Sequence, residues 1–295
     1  VSKDSGALVL ESLRGIIHRL FSPYIVVTLT LSCTLISGCS TRDPESMIAD
    51  LSDPVSETRR KAAYELVNEG NAAVEPIHRA LNPGTDRLRY ISAQILGRIG
   101  NPRSASVLLS LTHDSNLHVR KNAILALSKI HVAIMKDTLL HILKTDPLPE
   151  LRATAAEGLP TFRDTSVVKS LCLALGDSIT IVRQSAIAAL GRIWADSAMP
   201  AVITAIEDPD ENVRYIAIQV AANHQLIAAR LPLQRMLTDH SLAVRAEAAR
   251  ALALIADTTA VKALIALMKE RYEGADVDAA RSALQELTGV DYIIE

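Results

Sequence analysis

The sequence predicts an all-α protein, an α-solenoid of stacked helix–turn–helix units, and three observations predict it. Arginines recur at Arg59, Arg89, Arg120, Arg152, Arg183, Arg214 and Arg245, with spacings of 30, 31, 32, 31, 31 and 31 residues. Small and aliphatic residues recur in register with them at helical rather than strand periodicity. Aromatic residues make up only 3% of a chain that is 49% hydrophobic, so a core must be built from Ala, Leu, Ile and Val. Side chains of that size suit close helix stacking better than a sandwich anchored on bulky rings.

Taken in chain order, residues 24–38 (YIVVTLTLSCTLISG) form an uncharged run of fifteen residues, with Arg14 and Arg19 upstream. A membrane-spanning helix needs about twenty apolar residues. The run is short for a span and fits the apolar region of a secretory signal. Its end, Ile36-Ser37-Gly38-Cys39, resembles the lipobox of bacterial lipoprotein signals. That resemblance implies cleavage before Cys39 and a diacylglycerol thioether on its sulfur. Ser40 rather than Asp follows, which implies the outer membrane, on its periplasmic face. The expected organisation is a signal peptide over 1–38, a lipid-anchored tether over 39–45 and a solenoid over 46–295.

The repeat itself has fixed columns. One residue before each arginine lies Thr58, Leu88, Val119, Leu151, Val182, Val213 or Val244. Three after it come Ala62, Ser92, Ala123, Ala155, Ala186, Ala217 and Ala248, and seven after it Leu66, Leu96, Leu127, Leu159, Leu190, Ala221 and Leu252. These positions share one face of a helix and predict its buried side. From the second copy on, Ile99, Ile130, Phe162, Ile193, His224 and Ile255 extend that face. Six residues before the arginine stands Asp53, Asp114, Asp146, Asp177, Asp208 or Asp239, and only the second copy departs, with Pro83. Aspartate there is turn and helix-entrance chemistry, and it predicts a cap on the following helix. A second apolar segment, such as SASVLLSLT, separates one arginine helix from the next aspartate.

These columns resemble the HEAT repeat, most closely the bacterial subtype named after phycobilisome lyases, with its D-x-x-x-x-V-R-x-x-A-x-x-A-L-G signature. The stretch DSITIVRQSAIAALGRI, residues 177–193, is its cleanest copy here. The resemblance covers about residues 44–295 and implies a right-handed superhelix of seven to eight repeats. A degenerate eighth copy with Val277 in the arginine column, and Ala280, Leu284 and Leu287 in the core columns, is expected as a cap over about 258–295. In this family the Asp and Arg columns are structural. They imply a ladder in which Asp53, Asp114, Asp146, Asp177, Asp208 and Asp239 cap the second helices, and the arginines bond a turn or a neighbouring aspartate.

Chemistry is sparse. The formal net charge is −2, which speaks against a general nucleic-acid binder. Three cysteines, Cys33, Cys39 and Cys172, form no C-x-x-C spacing, and Cys172 is expected as an inert buried thiol. None of the eight histidines is followed by Glu, so the His-Glu pairs of the HEAT-like deoxyhypusine hydroxylases are missing. His113, Asp114 and His118 make a weak metal candidate, and His224 reads as a neutral core histidine with one hydrogen-bond partner. No cofactor and no metal are expected.

The functional expectation rests on one strip. Positions one, five and nine after each arginine lie opposite the buried face and carry Arg60, Arg98, Lys121, Lys129, Arg192 and Arg250 against one acid, Glu157. Tyr64, Tyr90 and Tyr215 share the strip as amphipathic anchors. Second helices of such arrays usually line the concave side, so the strip predicts a basic groove for an acidic peptide or protein segment. The expected function is a membrane-anchored, non-enzymatic scaffold or adaptor. The alternative is phycobilin lyase-like attachment or detachment of a chromophore, and a DNA-binding array is opposed by charge and signal.

Overall fold

A computed structural model describes residues 42–82, 84–130, 132–271 and 273–292. The chain divides into two units, residues 1–46 and 47–295. Cys39, the expected signal peptide and most of the expected tether lie outside the described residues. Among the described residues there are sixteen α-helices and no strand, and no helix is long and apolar enough to cross a membrane.

The helices alternate in eight pairs. They are α1 (Pro44–Asp50) with α2 (Ser56–Glu69), α3 (Asn71–Ala80) with α4 (Asp86–Ile99), α5 (Ala105–Leu111) with α6 (Leu117–Lys129), and α7 (Ala133–Thr145) with α8 (Pro149–Gly158). The array continues with α9 (Thr165–Ala174) and α10 (Thr180–Ile193), then α11 (Met199–Ala205) and α12 (Glu211–Asn223). It closes with α13 (Arg230–Met236) and α14 (Leu242–Leu254), then α15 (Val261–Arg271) and α16 (Ala275–Thr288). Second helices, α2 to α14, carry the repeat arginines, and α16 carries Val277 in that column. The helix α1 opens at Pro44, inside the expected tether, because a proline's fixed φ suits a first turn.

Local chemistry sets the helix ends. Thr85, Asn116 and Asp210 cap α4, α6 and α12, accepting the N–H groups of Leu88 at 3.2 Å, His118 at 2.8 Å and Asn212 at 2.9 Å. After the second helices the backbone turns to positive φ at Gly70, Gly100, Arg163, Trp194, Gln225 and Ala256. Glycine adopts that conformation without penalty, so the last four sites carry strain that only tertiary packing sustains.

Two of the four expected core columns are buried throughout, whereas Thr58 and Leu88 before the arginine, and Ile99, Phe162, Ile193 and His224 ten after it, are only half-buried. Leu66, Leu96, Leu127, Leu159, Leu190 and Leu252 are at most 1% exposed, and the Ala and Ser column three residues after the arginine is fully buried. Burying one such leucine contributes about 2 kcal/mol. Adjacent second helices approach closely where side chains vanish. A Cβ placed on Gly97 would lie 2.7 Å from Cα and Cβ of Ala126 on the next second helix. One on Gly158 would meet Ser128 at 2.8 Å, and one on Gly191 would meet Val220 at 2.7 Å. Each of these contacts joins the position eight after one arginine to the position six after the next. The buried residues form two clusters, one from Met47 to Met135 and one from Ile124 to Leu284, with Phe162 packing against both.

Candidate functional site

The recurring spacing of Asp and Arg becomes a ladder of hydrogen bonds between repeats. Arg89 donates from Nε to Asp114 Oδ2 at 2.6 Å and from Nη2 to Oδ1 at 3.1 Å. Arg152 grips Asp177 at 2.8 and 2.9 Å, and Arg183 grips Asp208 at the same distances. Arg214 holds Asp239 at 2.8 Å. Each arginine also ties its own helix entrance, as when Nη1 of Arg152, Arg183 and Arg214 donates to the carbonyls of Asp146, Asp177 and Asp208 at 2.9 Å. Paired, planar geometry of this kind is the strong form of the ion pair.

The aspartates do not cap the helices directly, contrary to the expectation of a cap. Their Oδ1 atoms accept the backbone N–H two residues on, from Val55 at 2.7 Å, Asn116 at 2.8 Å, Leu148 at 2.9 Å, Ile179 at 2.9 Å, Asp210 at 2.9 Å and Ser241 at 2.8 Å. Those acceptor turns hold the N-cap residues rather than replace them. The physical reason is reach: from two residues before the cap, the side chain meets the N–H of the cap residue itself and does not extend to the first helical turn.

Two rungs differ. Arg59 faces a second copy that has Pro83 for Asp, and among the described residues it bonds only the carbonyls of Asp53 at 2.6 Å and Pro54 at 2.8 Å. Arg120 likewise bonds only the carbonyls of Asp114 at 2.7 Å and Ser115 at 3.1 Å among the described residues. Its prospective partner, Asp146, is displaced by the one 32-residue repeat, whereas the formed rungs from Arg89, Arg152, Arg183 and Arg214 all join residues 25 apart. The sequence reading missed Asp276. Its Oδ2 accepts from Arg245 Nε at 2.6 Å with the carboxylate 1% exposed, so the cap repeat supplies the last rung from a different column. An acid one residue before Val277, the residue in the arginine column, was the available signal.

Electrostatics follow the geometry. Burial opposes ionisation of Asp114, yet the Arg89 hydrogen bond, the Asn116 N–H and the fields of Arg89 and Arg120 hold its carboxyl below the usual range. Asp177 behaves alike, with burial outweighed by Arg152, the Ile179 N–H and Arg183. Asp164, the N-cap of α9, is lowered to about 2 by the Ser166 hydroxyl and N–H and by Lys136.

The strip of the second helices is less uniform than its sequence suggests. Arg60 pairs with Glu57 at 2.5 Å and Arg250 with Glu247 at 2.7 Å, so their charges are met within their own helices. Arg192 donates to the Glu157 carbonyl at 2.8 Å. Arg98, Lys121 and Lys129 have no hydrogen-bond or ion-pair partner among the described residues, and all three sit on the adjacent helices α4 and α6. Tyr64 is 60% exposed, whereas Tyr90 and Tyr215 are half-buried against the core. Two strip positions, Ala153 and Ala246, are buried outright, since small residues there let neighbouring helices close in. Tyr90 also lines a hollow of about 450 Å³ with Asp86, Arg87, Asn116, His118 and Asn122, between α4 and α6.

The remaining candidates have local roles. His113 Nδ1 lies 3.0 Å from the Thr112 hydroxyl, Asp114 is engaged by Arg89, and no group of three His, Cys, Asp or Glu side chains converges among the described residues. His224 Nε2 meets the Gly191 carbonyl at 3.0 Å, and its ring stacks on Trp194 at 4.0 Å. Cys172 is half-buried, and burial pushes its thiol up.

A profile of HEAT repeats matches residues 74–137, 135–204 and 199–285. No curated protein matches the chain. Among solved structures, YibA of E. coli is 18% identical with a TM-score of 0.55, over 80% of this chain and 97% of its own. The complex of CpcE and CpcF of phycocyanin lyase from Nostoc is 18% identical with a TM-score of 0.43, over 83% and 94%. Human deoxyhypusine hydroxylase is 22% identical with a TM-score of 0.39, over 87% and 100%. At these identities the likeness to YibA is one of fold. With its repeats matched from residue 74 to residue 285 and its helices stacked in pairs, the chain belongs to the HEAT-repeat family.

Proposed function

We propose that this chain is a non-enzymatic binding scaffold that holds an acidic segment of a partner protein along its second helices. HEAT repeats generally mediate protein–protein interaction, and the observation that carries the finer reading is the trio Arg98, Lys121 and Lys129 on α4 and α6, which has no partner among the described residues. In a chain of net charge −2, three uncompensated cations on neighbouring helices make a local field that complements carboxylates. The hollow beside Tyr90 supplies a place for one side chain of the bound segment, and exposed Tyr64 continues the surface. Arg60 and Arg250, already paired, contribute little to recognition. The proposal includes a lipid anchor on Cys39 and a location at the periplasmic face of the outer membrane, supported by the lipobox-like sequence.

A labelled Glu-rich peptide tests the surface by fluorescence anisotropy on the full chain. Affinity should fall at least about tenfold in the Arg98→Glu/Lys121→Glu/Lys129→Glu variant and weaken with salt. Unchanged binding in that variant would remove the proposal, and an absorbance shift on adding a bilin would favour chromophore handling instead. Palmitate labelling and membrane fractionation of Cys39→Ala test the anchor separately.

A further inference from the structure

The first-helix face carries a second feature. Among the first helices, α5, α11 and α13 are seven residues long, whereas α7 has thirteen and α9 ten. Between the C-terminal halves of α7 and α9, and the turn that follows α9, lies a pocket of about 580 Å³. Its apolar wall is Leu140, Leu143, Leu173 and Ala174, and Leu173 is 72% exposed. A leucine so exposed is unremarkable alone, but one side of a walled cavity is a place for an apolar ligand.

The rim is cationic. Lys144 stands on α7 and Lys169 on α9, one on each wall, and neither has an ion-pair or hydrogen-bond partner among the described residues. The one acid at the rim, Asp177, is held by Arg152 through two bonds at 2.8 and 2.9 Å, so its charge is already met. Ser170 donates to the Ser166 carbonyl at 2.9 Å, and His141 Nε2 lies 3.3 Å from the Thr145 hydroxyl. An apolar body flanked by two free ammonium groups complements an amphiphilic anion.

Size decides between a peptide and a small molecule. All the lining residues fall between 140 and 177, within one neighbouring pair of first helices. A docked helix would need a groove continued along the array, and no residue of α5 or α11 lines this one. The volume lies within the range of small-ligand sites, about 300–1,000 Å³.

We propose that the α7–α9 pocket binds a small amphiphilic organic anion, its aliphatic or aromatic body against Leu140, Leu143 and Leu173 and its carboxylate between Lys144 and Lys169. This site is on the opposite helices from the acidic-segment surface and does not depend on that reading. Dodecanoate below its micellar concentration is the probe, titrated into the full chain by calorimetry. One saturable site is expected. Lys144→Glu/Lys169→Glu should weaken it about tenfold or more, and Leu173→Asp should weaken it comparably. The Arg98→Glu/Lys129→Glu variant should bind dodecanoate as the parent does. Dodecyltrimethylammonium, with the same chain and the opposite charge, should not compete. All the substituted side chains are solvent-exposed, and unaltered thermal midpoints would show that the variants fold. Undiminished binding by both pocket variants, or equal binding of the cationic amphiphile, would overturn the proposal.

Discussion

Arg183 of α10 and Asp208 of the following repeat meet through two hydrogen bonds, Nε to Oδ2 at 2.8 Å and Nη2 to Oδ1 at 2.9 Å, with their side chains only 10% and 8% exposed. Removing the arginine strands a buried carboxylate. Arg183→Ala should therefore cost about 3 kcal/mol. Arg120→Ala removes bonds to carbonyls of its own helix entrance and part of the field on Asp114 but strands no carboxylate, and should cost about 1 kcal/mol. Urea unfolding of the two variants checks the contrast, and equal losses would show that the inter-repeat rung adds nothing.

The approach of α4 to α6 at Gly97 leaves no room for a side chain. Alanine there would gain about 1 kcal/mol in helix propensity but place its Cβ 2.7 Å from the backbone of Ala126. Gly97→Val, larger and β-branched, should lower stability by about 3 kcal/mol. A thermal midpoint equal to that of the parent would mean that the two helices part at little cost.

Two substitutions should raise stability. The Ser92 hydroxyl is buried without a hydrogen-bond partner among the described residues, in a column that is alanine elsewhere. Ser92→Ala should gain about 1 kcal/mol by removing an unsatisfied group. Ala256 holds φ at 53° after α14, and Ala256→Gly should gain about 1 kcal/mol by relieving the left-handed strain. Calorimetric midpoints of both variants should lie above that of the parent.

Acid should loosen the ladder. Asp114 and Asp177 have carboxyl pKa values held below their unfolded values, so the folded state prefers them ionised. Their contribution is complete above the unfolded value, about 4. It is lost as the pH falls through the lower, folded values, because the unfolded chain then binds more protons. Stability measured between pH 7 and pH 2 should thus decline below about pH 4, and Asp114→Asn and Asp177→Asn variants should decline less steeply from a lower starting point. An unchanged slope in both variants would remove these carboxylates from the account.

Much of the architecture was legible in the chain because a repeat writes the same packing problem several times. The Leu column from Leu66 to Leu252 and the Ala column beside it could be read by period, and all their members are buried. The 32-residue spacing between Arg120 and Arg152 stands in the chain, but that it costs Arg120 its rung is visible only in the structure. The candidate site was legible less fully. Opposite-face positions can be counted from a helix, but Glu57 and Glu247 neutralise Arg60 and Arg250 from one turn away, outside the columns being read. Asp276 replaces an aspartate column because a bond to Arg245 depends on distance in space rather than on offset along the chain.

By itself, then, the sequence determined the helical period, the seven repeats with a degenerate eighth, and the two columns that are buried throughout. Those properties are periodic, and periodicity is local information repeated. Only the tertiary structure decided which arginines find a carboxylate in the next repeat, which cations on the second helices stay unpaired, and that α7 and α9 enclose a pocket. Each of these depends on how far one helix stands from its neighbour, a distance set by whole side-chain volumes such as the missing Cβ of Gly97 against Ala126.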